Sequence, residues 1–531
     1  MKKRIVIVGA GPGGPTSAMI LARRGFDVEV LEKDAVVGGR SARLSFDGFN
    51  FDTGPTFLMM KFVLDEMFEE AGERIEDHLD AVELDPMYRL VFNDRSIDMT
   101  SDPTLMKQEI ARLFPGSEVD LDKFLTREGK RFEKVFPCLQ KDYSSFKEFF
   151  NPIFLKAIPY IPLGTSIFDY LGNYFGEEKL RLCFTFQSKY LGMSPWECPG
   201  FFSILPFVEH KFGVFHVRGG LSRISEAMAA IATKHGARIR TGAEVKQIIV
   251  VNGKAKGVRL ANGEKVIVDE VILNADFAYA MNNLVPPGIL RKYSPEKLEK
   301  KRYSCSTFML YLGVDKIYRN LPHHTVVFAD DYRSSIQSIF DSKELTDDIS
   351  FYIRNSSVID PDVAPKGHSG LYVLVPAPNQ QSGIDWEKQK TEFRDRVIRK
   401  IVERTPLKDL ESHIIAERMM TPLDWEAKSN VYLGATFNLA HTLTQMLYFR
   451  PHNRFEEIEN MYLVGGGTHP GSGLPTIYES ARISSNLISD KYGVPYRPPT
   501  NLSEKSGVRQ RQISSRHQEE PAEMPVGGPA K

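Results

Sequence analysis

The chain has 531 residues, 42% of them hydrophobic, and its 68 lysines and arginines balance 68 aspartates and glutamates, so the formal net charge is zero. This balance excludes the strongly basic surface by which proteins bind nucleic acid, and the length predicts two or three domains. The four cysteines lack the spacing of a zinc site or a dithiol centre, which predicts buried thiols in a reducing cytosol and no metal site.

A continuous β-branched run, Ile5–Val8, predicts a buried strand close to the N-terminus. Gly9, Gly11 and Gly14 follow at the spacing of a dinucleotide-binding fingerprint, and residues 17–24 continue as a helical pattern. In this arrangement Gly9 permits the tight turn, Gly11 lets the backbone reach a pyrophosphate, and Gly14 allows close packing of helix on strand.

The next apolar strand, Val28–Leu31, ends at Glu32, whose carboxylate can accept both ribose hydroxyls of a dinucleotide. The fingerprint alone does not separate NAD from FAD. A second glycine turn with Gly39 and Arg40 adds N–H groups and a guanidinium near the pyrophosphate. Together with Phe51–Pro55, it resembles the large flavoprotein family of amine oxidases and desaturases, which implies FAD as the cofactor.

Residues 65–212 predict a mixed helical region that contains an unusually apolar segment, Phe149–Gly164. Its prolines exclude a regular spanning helix, and the chain has no run of about 20 consecutive apolar residues. Two alternatives remain for this segment: it dips into one leaflet as a monotopic anchor, or it lines a core.

Three short strands are predicted after the helical region, and each adjacent pair is joined by an Asn-Gly type I′ turn. They are Glu244–Val251, Ala255–Leu260 and Lys265–Val268, with turns at Asn252-Gly253 and Asn262-Gly263. A further strand, Glu270–Leu273, returns to the nucleotide-binding sheet. In this layout the backbone of Val245 can hold the adenine.

The apolar runs Phe308–Val314 and Leu371–Val375 predict a separate sheet that supports a substrate cavity. We therefore predict an α/β protein with a doubly wound, Rossmann-like FAD-binding domain and a second, mixed-sheet α+β domain that binds substrate and associates with membrane. The FAD-binding domain comprises residues 1–75, 213–300 and 415–495, and the substrate domain comprises residues 76–212 and 301–414. Residues 498–531 are polar and are predicted to be disordered.

A second glycine-rich turn, Gly465–Pro475, lies between an apolar strand, Met461–Val464, and a helix over residues 476–482. The first N–H groups of a helix are unpaired and its dipole is positive there, so this turn can bind an anion or a flavin ring. Gly467, Gly473 and Leu474 are the predicted cofactor contacts.

Thr436–Gln445, Tyr448–Arg454 and Gly465–Pro475 resemble the closing block of bacterial and fungal phytoene desaturases and their C30 counterparts, and the similarity covers nearly the whole folded chain. This resemblance implies an FAD-dependent carotenoid desaturase, cytoplasmic and peripheral to the membrane, that takes a long polyene from the bilayer. Desaturation removes a hydride and a proton, and no side chain accepts hydride, so the flavin must. Because no second dinucleotide fingerprint is visible, oxygen or a quinone is the expected electron acceptor.

Catalytic residues are poorly marked in the sequence. Arg333 lies in a block that resembles the family's and is the catalytic candidate, with a surface ion pair to Asp330 or Asp331 as the alternative. His323 and His324 are interpreted as loop or strand residues, because they lack further ligands at metal-binding spacing.

Several products fit the same scaffold. Ser472 stands where many phytoene desaturases have alanine, and Tyr478 and Glu479 depart from a small-residue helix, which puts strict C40 specificity in doubt. A C30 desaturase, a terminal-methyl carotenoid oxidase and an isomerase remain alternatives. In a different class, prenyl-binding escort proteins share the fold, but the intact glycine turns and Glu32 argue against that function.

Overall fold

The structure is a computed structural model in which residues 2–499 are described. Residues up to Pro495 form one compact unit, and Tyr496 begins a second, C-terminal one. The predicted disordered tail, residues 498–531, lies outside the described residues except for its first two positions.

The strands are, in chain order, β1 (Arg4–Val8), β2 (Asp27–Leu31), β3 (Arg43–Phe46), β4 (Phe49–Asp52), β5 (Leu58–Met59), β6 (Ala81–Glu83), β7 (Tyr88–Val91), β8 (Ser96–Met99), β9 (Val214–Val217), β10 (Arg238–Arg240), β11 (Val245–Val251), β12 (Lys254–Leu260), β13 (Lys265–Ile267), β14 (Glu270–Leu273), β15 (Ser306–Val314), β16 (His324–Val327), β17 (Phe351–Asn355), β18 (Ser369–Ala377), β19 (Ile414–Met420) and β20 (Met461–Leu463).

The α-helices are α1 (Gly13–Arg23), α2 (Lys61–Glu70), α3 (Pro103–Leu113), α4 (Glu118–Leu139), α5 (Pro152–Ala157), α6 (Ile167–Leu171), α7 (Glu178–Cys183), α8 (Ile204–Phe212), α9 (Ser222–Lys234), α10 (Phe277–Asn283), α11 (Pro295–Glu299), α12 (Tyr332–Gln337), α13 (Trp386–Arg404), α14 (Leu410–His413), α15 (Pro422–Ser429) and α16 (Leu474–Tyr492). Short 3₁₀ turns complete many of the connections.

Five parallel strands form the nucleotide-binding sheet, in the order β10–β2–β1–β14–β20. Helix α1 packs against both α9 and α16, and each of the three helices also contacts strands of this sheet. The antiparallel β11–β12–β13 sheet shares a buried core with Val6 and Val8 of β1. This arrangement confirms the predicted Rossmann-like class. Because parallel strands end at one edge, the residues that follow β1, β2, β14 and β20 converge there.

The two Asn-Gly turns of the three-stranded sheet differ. Asn252 and Gly253 have φ angles of 50° and 73°, which confirms the type I′ turn. At the second turn only Gly263 has a positive φ, 89°, so the type I′ prediction there is wrong. The Asn262 side chain instead accepts the N–H of Glu264 at 3.0 Å, an Asx-type bond that supports a different turn.

Seven strands form a mixed sheet in the order β19–β15–β18–β17–β16–β7–β8, in which only β16 and β7 pair in parallel. Successive side chains along β15 point alternately into a hydrophobic core and into a cavity. Phe308 and Leu310 of β15 pack in a core with Trp386 of α13, whereas Thr307 and Met309 face a cavity. The predicted second, mixed sheet is therefore present, and one of its faces carries the cavity wall.

The region predicted as helical, residues 65–212, also contains three strands, β6, β7 and β8. β7 joins the mixed sheet through β16, more than two hundred residues further along the chain, with Thr325 opposite Arg89. These strands are only three or four residues long, and their partners are distant, so the local sequence pattern does not reveal them.

Candidate active site

A cavity of about 420 Å³ extends from the carboxyl edge of the parallel sheet to the face of the mixed sheet. Gly9, Gly11 and Glu32 line one end, and Met309 and Leu374 line the other. The two ends differ in chemistry, since the first presents main-chain groups and charged side chains, and the second presents mainly aliphatic and aromatic side chains.

Glu32, which directly follows β2, is oriented by two backbone N–H groups. One carboxylate oxygen accepts from Ala10 at 2.6 Å and the other accepts from Asp34 at 2.9 Å. Burial raises the pKa of Glu32, and these two N–H groups act against that shift. A carboxylate offers about four acceptor positions, so after two backbone bonds it can still accept ribose hydroxyls.

The three fingerprint glycines lack side chains for different reasons. A Cβ atom on Gly9 would lie 2.5 Å from the carbonyl oxygen of Asn274, and one on Gly14 would lie 2.2 Å from that of Gly9. A Cβ on Gly11 would meet only the Asn274 side chain, at an ordinary 3.4 Å. Gly9 and Gly14 are therefore required by the protein's own packing. Gly11 lines the cavity, where its missing side chain leaves room for a ligand.

Asn274, which follows β14, fixes the fingerprint turn and was not among the predicted site residues. Its Nδ2 donates to the carbonyl oxygens of Gly9 and Gly11, both at 3.0 Å, and the residue lines the cavity. The sequence located β14 correctly but did not show that it lies beside β1. Ligands bind beyond the carboxyl ends of parallel strands, and this rule could have identified Asn274 as a site residue because it directly follows β14.

Gly39 and Arg40, predicted as cofactor contacts, both line the cavity. Gly39 has a φ of 51°, and a Cβ there would lie 3.1 Å from the Cα of Gly11, so the two glycine turns touch. Arg40 donates to the carbonyl oxygen of Thr436 at 2.8 Å and lies 3.9 Å from Asp276, a carboxyl whose pKa is raised by burial. A guanidinium has five N–H donors, so others remain for phosphate or flavin oxygens.

The C-terminal glycine turn delivers a second helix N-terminus to the same cavity. Gly473 and Leu474 line it at the start of α16, and neither α16 nor α1 has a side-chain cap. Two uncapped N-termini give this end unpaired N–H groups and a positive field, which suit a pyrophosphate and a flavin ring. Val245, the predicted adenine contact, also lines the cavity.

The structure corrects the predicted role of Gly467. A Cβ there would lie 2.5 Å from Phe277 Cβ and 2.8 Å from Asn438 Oδ1, and Gly467 is not part of the cavity wall. Its missing side chain therefore serves packing. The two residues that directly precede Gly467, Gly465 and Gly466, do line the cavity.

A buried arginine holds the backbone of this turn. Arg450 donates to the carbonyl oxygens of Gly466 at 2.5 Å, Thr468 at 3.1 Å, Gln445 at 3.1 Å and Leu439 at 3.3 Å. Burial lowers the pKa of Arg450 to about 9. All four acceptors are main-chain oxygens, so the guanidinium fixes loop geometry. Nothing in the local sequence distinguishes it from a surface arginine.

Two tyrosines at the substrate end, Tyr352 and Tyr372, have hydroxyl groups that are already paired. The Tyr352 hydroxyl lies 2.8 Å from Thr56 Oγ1 and 2.6 Å from His324 Nδ1, and the Tyr372 hydroxyl donates to the carbonyl oxygen of Gly54 at 2.7 Å. The remaining wall here includes Phe57, Phe186, Met193, Met309, Val326, Phe351 and Leu374. Such a surface binds hydrocarbon and offers few polar contacts.

The structure does not bring Arg333 to this cavity. Its side chain is exposed and its guanidinium lies 5.2 Å from the ring of Trp196. The alternative ion pairs are also absent within residues 2–499, because Asp330 bonds to Arg404 at 2.8 Å and Asp331 caps α12. Arg333 is thus corrected from a catalytic candidate to a surface residue.

His323 and His324 are buried next to the cavity wall. The ring of His324 stacks on Phe57 with centroids 4.2 Å apart, and burial holds the pKa values of both histidines well below the usual range. Among the described residues no group of three or more potential metal ligands converges anywhere.

Tyr478 and Glu479, the two residues that depart from the small-residue helix of the resembling family, are buried in α16 outside the cavity wall. Glu479 pairs with Arg482, whereas Leu474, Pro475 and Ile477 of α16 line the cavity. Ser472 does line it, and its hydroxyl donates to the carbonyl oxygen of Phe437 at 2.6 Å.

Comparisons with known proteins agree with this geometry. The "Flavin containing amine oxidoreductase" family matches residues 14–489. A 4,4'-diapophytoene desaturase (4,4'-diapolycopene-forming) from Methylomonas sp is 54% identical, over 93% of this chain and 97% of that protein. A zeta-carotene-forming phytoene desaturase from Myxococcus xanthus is 38% identical over 92% and 94%. The crystal structure of an oxidoreductase from Methanosarcina mazei shares the fold, with a TM-score of 0.61 at 18% identity over 92% and 100%.

Proposed function

The chain belongs to the family of flavin-containing amine oxidoreductases and, within it, to the carotenoid desaturases, and we propose that it introduces double bonds into a long acyclic C30 polyene. The observation that carries this proposal is one continuous cavity with a nucleotide-binding end and a hydrocarbon-binding end. The C30 length is proposed because the relative with 54% identity is a 4,4'-diapophytoene desaturase.

The residues present fit FAD. Glu32 is free to accept ribose hydroxyls, Gly11 leaves space for the pyrophosphate, and Gly473 and Arg40 offer donors for the flavin end. When bound, FAD supplies the hydride acceptor that no side chain provides. The protein orients the polyene along the mixed sheet and excludes water through the rings of Tyr352 and Tyr372. This wall recognises hydrocarbon by shape, since it offers few free polar atoms.

The division into two domains remains a proposal, and the sheets support it. Strands of the five-stranded sheet lie within residues 1–75, 213–300 and 415–495. The seven-stranded sheet lies almost wholly within residues 76–212 and 301–414, with β19 crossing the last boundary.

We also propose that the protein docks on the cytoplasmic surface of a membrane. Phe150 and Leu163 are 68% and 70% exposed, and Phe146, 56% exposed, packs its ring 5.7 Å from that of Tyr448, beside the exposed Phe449. The rings of Phe146, Phe150, Tyr448 and Phe449 form an apolar patch built from two chain segments, which is typical of an interaction surface. No helix within residues 2–499 is long and apolar enough to cross a bilayer.

Both alternatives for the segment Phe149–Gly164 are partly supported. Phe154 packs with Tyr143 in a small core, whereas Leu155 is 48% exposed. No residue of the segment belongs to the wall of the cavity described above. We therefore propose it as part of the docking patch and not as the mouth through which the polyene enters. Oxygen or a membrane quinone remains the proposed electron acceptor.

The function is tested by reconstituting the protein with FAD and mixing it anaerobically with acyclic C30 and C40 polyenes in liposomes. We expect the C30 polyene to bleach the oxidised-flavin absorbance and to gain double bonds, with the C40 polyene reacting more slowly. Addition of a quinone or of oxygen should restore the absorbance. A protein that binds FAD but is reduced by neither polyene would refute the proposed function.

A further inference from the structure

Lys189 is a basic side chain at the hydrocarbon end of the cavity, and the site described above gives it no role. It lies in a short 3₁₀ helix, Phe186–Leu191, and is half-buried in the cavity wall. The other lysine, arginine and acidic residues of the wall belong to the nucleotide end. They are Glu32, Lys33, Asp34, Arg40, Glu244 and Asp276.

The amine of Lys189 has an aromatic and apolar environment. Its Nζ lies 4.8 Å from the ring centroid of Tyr332 and 6.0 Å from that of Phe328, and no ion pair joins it to a carboxylate within residues 2–499. Burial lowers the pKa of Lys189 to about 7. Near neutral pH a large share of the amine therefore carries a free lone pair. The protonated amine is stabilised by the faces of the Tyr332 and Phe328 rings.

We propose that Lys189 is the proton acceptor of the desaturation, an inference that rests on the proposed function. One C–H bond of the polyene gives its hydrogen and both electrons to the flavin as hydride. The adjacent carbon gives a proton to the lone pair of Lys189 Nζ, and the electron pair of that second C–H bond becomes the new C=C bond. Lys189 then holds the proton as an ammonium and releases it to solvent.

The groups that face Lys189 keep one protonation state near neutral pH. Burial raises the pKa of Cys305 to about 12 and raises that of Tyr332 further, so the thiol and the phenol stay protonated. Arg333, on the same helix as Tyr332, directs its guanidinium to Trp196. On the opposite wall, burial likewise raises the pKa values of Tyr352 and Tyr372.

Glu209 is the group that could imitate Lys189 in a pH profile. It is buried behind Tyr190, which follows Lys189, and burial raises the pKa of Glu209 to about 7. Its carboxylate accepts from the hydroxyl of Tyr88 at 2.9 Å and from Gln187 at 2.8 Å, and it does not line the cavity. The variant Glu209→Gln therefore separates the two groups.

The test measures anaerobic reduction of the enzyme-bound flavin by the C30 polyene as a function of pH. In the wild type the rate should rise with pH and level off above about 7. Lys189→Met should lower the rate by about 10²- to 10⁴-fold and remove this pH dependence, while the flavin spectrum and FAD affinity stay unchanged. Lys189→Arg, which stays cationic, should be equally slow.

Two control variants should keep both the rate and the pH profile. One is Glu209→Gln. The other is Lys179→Met, at a half-buried lysine that lies 6.0 Å from the ring of Phe92 but pairs with Asp94 outside the cavity.

A second measurement is independent of turnover and of variant folding. In the wild-type holoenzyme, an amine-reactive reagent should modify Lys189 with a pH midpoint near 7, and the polyene should protect it. Surface lysines should show midpoints near their ordinary pKa of about 10.4.

Three results would overturn the inference while leaving the proposed function intact: undiminished reduction of Lys189→Met, loss of the pH dependence in Glu209→Gln, or an ordinary labelling midpoint for Lys189. If the wild-type flavin is reduced by no polyene, the proposed function fails and the inference fails with it.

Discussion

The variants Gly11→Ala and Gly14→Ala should have different effects, because Gly11 is needed for cofactor binding and Gly14, in the same turn, is needed for the fold. At Gly11 the new Cβ would meet only the Asn274 side chain at 3.4 Å, and φ lies outside the left-handed region. The free energy of unfolding without cofactor should therefore stay the same or rise by up to about 1 kcal/mol. The methyl group enters the space proposed for the pyrophosphate, so FAD affinity should fall at least about tenfold, or about 1.4 kcal/mol.

Gly14→Ala should behave in the opposite way. Its Cβ would lie 2.2 Å from the carbonyl oxygen of Gly9, so the start of α1 must move away from β1. We expect the protein without cofactor to lose about 1–3 kcal/mol of stability, the usual range for overpacking. Thermal unfolding of the FAD-free proteins and titration with FAD by fluorescence give both quantities. The reasoning is refuted if Gly11→Ala binds FAD as tightly as wild type, or if it destabilises the FAD-free protein as much as Gly14→Ala does.

Two further predictions concern the cofactor and the membrane. Glu32→Ala should weaken FAD binding by about 1.5–3 kcal/mol. Because burial raises the pKa of Glu32, wild-type FAD affinity should decrease as pH falls through that raised pKa, and a titration in which Glu32→Gln kept the same pH dependence would contradict the assignment. Replacing the exposed Phe150, Leu155 and Leu163 together by serine should release the protein from liposomes with the flavin spectrum unchanged, since each buried apolar side chain contributes about 1.5–3 kcal/mol. Full co-sedimentation of this variant would place the docking surface elsewhere, and Phe154→Ser, which opens a core, is the control for simple destabilisation.

Local patterns in the sequence determined the nucleotide-binding half of the protein. Continuous apolar runs located β1, β2, β14 and β20, and the spacing of Gly9, Gly11 and Gly14 predicted the turn that begins α1. These features depend on residues within about twenty positions of one another, so propensity and periodicity suffice to identify them. The blocks near the C-terminus likewise identified the family.

Only the tertiary structure decided which residues share the cavity. Asn274 reaches the fingerprint turn because β14 lies beside β1, and Lys189 meets the mixed sheet across more than a hundred residues of chain. The same packing removed Gly467 and Arg333 from the site. A glycine kept for packing and a glycine kept for a ligand look identical in sequence. Only the surrounding atoms distinguish them, since an added Cβ would lie 2.2 Å from a backbone oxygen at Gly14 but 3.4 Å from its nearest neighbour at Gly11.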